Sequence, residues 1–169
     1  CPKLTIEDGN QNITQIHYRW RLDDGNEAAA SWGAAEDTAT SSVGLSTVVR
    51  LRIEISNEGN TTWADNSTVY LPLQYNTVSD HSAAGWTIIP TNATCGSSPF
   101  CMASSQLVDN DATTNVAAGL TDENSIFSAG TQHDVEATSS SAYFHDYMFS
   151  EHEYSFQVTS NAAPGTAYY

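Results

Sequence analysis

The chain has 169 residues and a formal charge of -15, from 20 Asp and Glu against 5 Lys and Arg. That balance leaves no basic footprint for nucleic acid or for an anionic membrane surface. The length fits one domain, residues 1–169, able to bury a core without staples, and no apolar run approaches the roughly eighteen residues of a membrane-spanning helix.

Ser and Thr supply 39 residues, and Lys3 is the single lysine, a balance common in secreted β proteins. Leu4 and Ile6 alternate ahead of the turn signal Asp8-Gly9-Asn10, so residues 3–7 are expected to form a short edge strand. Residues 15–22 place Ile16, Tyr18, Trp20 and Leu22 on one face and Gln15, His17, Arg19 and Arg21 on the other. Asp23-Asp24-Gly25-Asn26 ends that strand with strong turn chemistry. Residues 27–38 are rich in alanine, but Gly33 interrupts them and no helical stripe survives. An irregular connection anchored by Trp32 is expected.

Residues 48–57, VVRLRIEISN, carry the strictest alternation in the chain, with Val49, Leu51, Ile53 and Ile55 inward and Arg50, Arg52 and Glu54 outward. Together with residues 15–22 they predict the central strands of one sheet with one face wet. Four of the five basic residues lie on that outward face. Neighbouring arginines repel, so carboxylates such as Glu54, Glu151 or Glu153 are expected between or opposite them. The strip reads either as a surface charge ladder or as a receptor for the acidic loops of a neighbouring copy.

Val69, Leu71, Leu73 and Tyr75 alternate again, and Pro72 marks that strand as an edge or a bulge. Trp86 and Ile88 suggest a short strand ended by Pro90. In residues 91–124 only Leu107 and Val108 form a strand nucleus. Aromatics cluster over residues 143–149, and from Glu151 to Val158 the residues Tyr154, Phe156 and Val158 point inward. A turn follows at residues 161–165, and residues 166–169 open a final strand that reads as truncated. Eight to ten short strands with no convincing helix predict an all-β fold, an antiparallel two-sheet β-sandwich.

Cys95 and Cys101 enclose GSSPF, a spacing suited to a local disulfide, with a free-thiol or metal pair as the alternative. Cys1 is left over and points to an intermolecular bond, a lipidated start or the cut edge of a longer chain. Enzyme motifs such as G-x-S-x-G and H-E-x-x-H are absent, and the expectation is a non-enzyme. Calcium is the candidate cofactor, at Asp23 and Asp24 and at Asp109 and Asp111, with solvated acidic turns as the plainer reading. Sequons occur at Asn12, Asn60, Asn66 and Asn92. Trp32, Trp63 and Trp86 lie outside the regular alternation and are candidates for stacking on sugar.

The stretches at residues 18–32, 50–59, 119–130 and 153–169 resemble modules of large secreted bacterial surface proteins. The resemblance implies an immunoglobulin-like or fibronectin-like sandwich, extracellular or cell-surface placement and a non-catalytic, fibre-forming role. The expectation is therefore a structural subunit of an extracellular filament, joined to copies of itself by strand addition. Residues 1–7, with Leu4 and Ile6, would be the exchangeable strand, and Cys1, Arg19, Arg21, Arg50, Arg52, Tyr168 and Tyr169 the other intersubunit candidates. The alternative is an adhesin that binds surface polysaccharide through loops ordered by calcium.

Overall fold

A computed structural model describes residues 12–59, 69–103, 105–141 and 145–169. The protein is all-β, and among the described residues the only helical turn is a 3-10 turn at Asn92–Thr94. Among the described residues nine strands form: β1 (Ile13–Leu22), β2 (Val48–Asn57), β3 (Val69–Pro72), β4 (Gln74–Tyr75), β5 (Thr87–Ile88), β6 (Phe100–Met102), β7 (Ile126–His133), β8 (Thr138–Ser141) and β9 (Met148–Val158). The expected edge strand at residues 3–7, with Cys1, Leu4 and Ile6, lies outside the described residues, as do Asn60, Trp63 and Asn66.

β2 and β9 form the centre of a five-stranded sheet. β1 flanks β2, while β6 and β7 share the far edge of β9. All pairings in this sheet are antiparallel except β7 with β9, which is parallel. Two small antiparallel ladders, β3–β8 and β4–β5, stand apart from it. The long alternating run after residue 68 breaks into β3 and β4 at Pro72, whose missing N–H cannot continue a ladder. At that break Leu73 donates instead to the Ala137 carbonyl and accepts from Ile89.

The apolar core lies between the main sheet and these ladders. Val49, Ile53, Ile55, Tyr154, Phe156 and Met102 meet Leu73, Ile89 and Ala137, with edge-on aromatic packing of Phe156 against Trp20 and Phe100. Tyr154 also donates to the Leu71 carbonyl at 2.9 Å, fastening β3 over the sheet.

The expectation of one wet face is corrected. β9 is buried along nearly its whole length on both faces, and Arg21, Arg50, Arg52, Glu54, Glu151 and Glu153 are almost completely excluded from solvent. Two irregular segments cover that face: a first strap over residues 23–40 and a second over residues 105–124. They also cap the sheet edges. Along β1 the first strap bonds through Leu22 N–H to Ser31, Gly33 N–H to Trp20 and Asp37 N–H to Tyr18. Along β7 the second bonds through Asn110 N–H and Thr113 N–H to Gln132 and Gly130. These bonds close the second half of β1 and residues 130–132 of β7 to another strand.

The connection at residues 27–38 is irregular and Trp32 packs down, as its sequence implies. Residues 107 and 108 form no strand: Leu107 is buried as a loop anchor and Val108 points into solvent. Phe100–Met102, next to the cysteine loop, takes the place instead. At the C-terminal side, Tyr169 and Asn76 exchange both backbone bonds, at 3.0 and 2.9 Å, and Tyr168 packs edge-on to Phe100.

Candidate functional site

The outer face of the main sheet is a layer of charge laid out by register. Arg21 pairs with Arg50, which faces Ser155; Arg19 pairs with Arg52, which faces Glu153; and Glu54 faces Glu151. Two adjacent arginine pairs are tolerable because Glu153 takes all three buried guanidiniums. Arg21 Nη1 donates to it at 2.9 Å, Arg50 Nε at 2.7 Å and Arg52 Nη1 at 2.8 Å. Arg52 also donates through Nε to Glu151, through Nη1 to Glu27 at 2.9 Å and through Nη2 to the Thr114 carbonyl. Burial works against the Arg52 charge, but Glu151 and Glu153 outweigh it and raise its pKa. The partners Glu151 and Glu153 are those the alternation points to.

The straps complete the layer. Glu27 accepts from both the N–H and the hydroxyl of Thr114, and Glu36 does the same with Thr121, so the two straps are clasped by a repeated device. Trp32 lies over the guanidiniums of Arg19 and Arg21, 4.5 and 4.4 Å from its ring centroid. Arg19 donates to the carbonyls of Ala34, Ala118 and Gly119. The intersubunit expectation for Arg21, Arg50 and Arg52 is therefore corrected: these side chains are committed inside the chain and present no strip to a neighbour. Trp32 is likewise engaged as a cover.

Next to this layer lies the polar cluster of His17, Glu36 and Asp37, the one described group whose ligand atoms could converge on a metal ion. His17 Nδ1 is 2.6 Å from Asp37 and 3.3 Å from Glu36, while Nε2 is 3.5 Å from Glu123. A separation of 2.6 Å is a hydrogen-bond length, which places a proton between His17 and Asp37. Burial pulls the imidazole pKa down, but the Asp37 hydrogen bond and the surrounding carboxylates prevail and raise it.

The calcium candidates do not converge. Asp23 accepts from Gln106 N–H, Asp24 from Ser31 N–H, Asp109 from Asp134 and Val135 N–H, and Asp111 from Ala112 N–H. Asp111 caps a donor in its own turn, while Asp23, Asp24 and Asp109 each tie down a backbone donor farther along the chain. Cys95 and Cys101 form a disulfide, with Cα atoms 5.5 Å apart. Of the sequons in the described residues, Asn12 and Asn92 are exposed.

On the opposite face of the main sheet is a half-open, mostly apolar cleft of about 410 Å³. Ile53, Ile55 and Tyr154 form its floor, Ile13 one wall and Leu71 the other, with Trp86 near the mouth. It runs between the start of β1, before the first strap closes over that edge, and β3. Sequence patterning marks every floor residue as inward, but the cleft was not legible, because it depends on where the separate β3 ladder sits. Comparisons with protein-family models, with curated proteins and with solved structures find no match.

Proposed function

We propose that the chain is a non-catalytic structural module of an extracellular assembly, which takes up an extended strand from a neighbouring copy. The observation that carries this reading is the cleft between β1 and β3: a mostly apolar slot beside a sheet edge suits a strand that pairs through its backbone and buries alternate side chains. Residues 3–7, KLTIE, have that alternation in Leu4 and Ile6. On this reading the main sheet and the two small ladders are the layers of an immunoglobulin-like sandwich. The resemblance to secreted bacterial surface modules supports the same role, and the Cys95–Cys101 disulfide supports an oxidising, extracellular setting. The first strap covers only the second half of β1, so the uncovered start of that edge, beside the slot, favours addition there. Deleting residues 1–7 yields a folded chain that stays monomeric in sedimentation; unimpaired assembly of the deletion overturns the proposal.

A second reading rests on Trp86, an indole at the cleft mouth with Tyr70 exposed beside it. An aromatic rim over a groove suits stacking on a sugar ring, which makes the module an adhesin for surface polysaccharide. Quenching of tryptophan fluorescence by a polysaccharide panel, lost in Trp86→Ala, supports that alternative. A flat titration removes it.

A further inference from the structure

We propose that Glu54 and Glu151 share one proton as a carboxyl pair, and that this pair fastens the second strap to the sheet and loosens it when the proton is lost. The two residues face each other in the β2–β9 register on the charged face, and both are wholly buried. Directly opposed positions in an antiparallel pair hold their Cβ atoms about 4.5–5.5 Å apart, so the two side chains leave the sheet side by side. Each has one oxygen accounted for: Glu54 Oε1 accepts from Glu123 N–H at 3.1 Å, and Glu151 Oε2 accepts from Arg52 Nε. Each has one oxygen left without a hydrogen-bond partner, Oε2 of Glu54 and Oε1 of Glu151. A single proton satisfies both, with Glu54 Oε2–H donating to Glu151 Oε1.

Charge leads to the same place. The buried layer holds the guanidiniums of Arg21, Arg50 and Arg52 against the carboxyls of Glu27, Glu54, Glu151 and Glu153, one more acid than base. The groups facing Glu54 are His17 from β1, Arg52 and Glu151 from β2 and β9, and Asp122 and Glu123 from the second strap. Burial, with Glu151 and Asp122 adding to it against the Glu123 N–H and His17, pushes Glu54 up to about 7. Burial also raises Glu151 in spite of Arg52.

Loss of the proton sets two buried carboxylates against each other where Glu54 holds Glu123 of the strap. A carboxyl whose folded pKa lies above its unfolded value near 4.5 binds its proton preferentially in the folded state. The contribution of this pair to stability is therefore full below about pH 4.5, falls as pH rises to about 7, and levels off beyond.

The test compares the intact chain with Glu54→Gln, whose amide donates to Glu151 and accepts from Glu123 without ionising. Urea unfolding across this interval is expected to show the wild type losing up to about tenfold in folding equilibrium constant per pH unit relative to the variant. A ratio that stays flat overturns the proposal. Should Glu54→Gln not fold, carboxyl NMR of the wild type decides: one glutamate titrating near neutrality is expected, and all glutamates titrating in the ordinary range overturn it. Protection of the Glu123 amide, corrected for intrinsic exchange, should fall over the same interval in the wild type, and constant protection overturns the link to the strap. Calcium that stabilises the wild type but not Glu54→Gln above pH 7 shows a cation in place of the proton, which also overturns it.

Discussion

Arg52 and Glu153 face each other across the β2–β9 register with 2.8 Å between Nη1 and Oε2, and neither side chain reaches solvent. A charge pair in that position is costly to desolvate and holds only because further hydrogen bonds complete both groups. Arg52 has three such further partners, Glu151, Glu27 and Thr114, which come from β9 and from both straps. The side chain thus joins the sheet to its two covers. Arg52→Ala leaves Glu151 and Glu153 buried with one cation fewer, and an expected cost of about 3–5 kcal/mol in urea unfolding follows. A loss under about 1 kcal/mol contradicts burial of the layer.

Gly130 is packed directly on the backbone of β9. A methyl group there runs into the Glu151 carbonyl and comes within 2.8 Å of His152 Nε2. This lies in the irregular part of the β7–β9 register, between Ala129 and Gln132. Gly130→Ala is expected to destabilise by about 1–3 kcal/mol through overpacking, read as a lower midpoint in denaturant. An unchanged midpoint contradicts the close approach of β7 to β9.

His17 carries a second pH dependence of known sign. Its folded pKa is raised above 6.5 by Asp37 and its neighbours, so its contribution is fully present below that value and is lost as pH rises through the folded pKa. The stability difference between the wild type and His17→Gln should shrink over that interval. A difference that grows with pH contradicts the His17–Asp37 bond.

The Cys95–Cys101 bridge closes a small loop next to β6, where Cys101 is buried. Reduction, or the double change to serine, is expected to lower stability by about 2 kcal/mol, measured by unfolding with and without reductant. No change at all contradicts its contribution to the fold.

The sequence shows β2 and β9 clearly because strict alternation pins their register to an apolar face, whereas in β1 a bulge between Gln15 and Tyr18 sets Gln15 opposite Ile55 and on the cleft side. Of the carboxylates that charge points to, Glu151 and Glu153 pair with the arginines and Glu54 holds Glu123 N–H instead, while Glu27 joins from the first strap without a sequence signal. What alternation cannot report is that the polar face is also buried: the covering straps have no period, and they are held by Glu27, Glu36 and Trp32 through contacts distant in sequence. Leu107 misleads for the same reason, since an apolar loop anchor and a strand nucleus look alike over two residues. The Glu54–Glu151 pair lies between these cases. Each residue is outward by pattern, yet only the β2–β9 register brings them together.

The most direct test of strand uptake is electron microscopy of the intact chain at physiological salt, alone and with an excess of a synthetic peptide corresponding to residues 2–11. Strand uptake predicts ordered filaments or oligomers that break down into discrete particles as the peptide occupies the cleft between β1 and β3. Monomers under both conditions, or filaments indifferent to the peptide, contradict it.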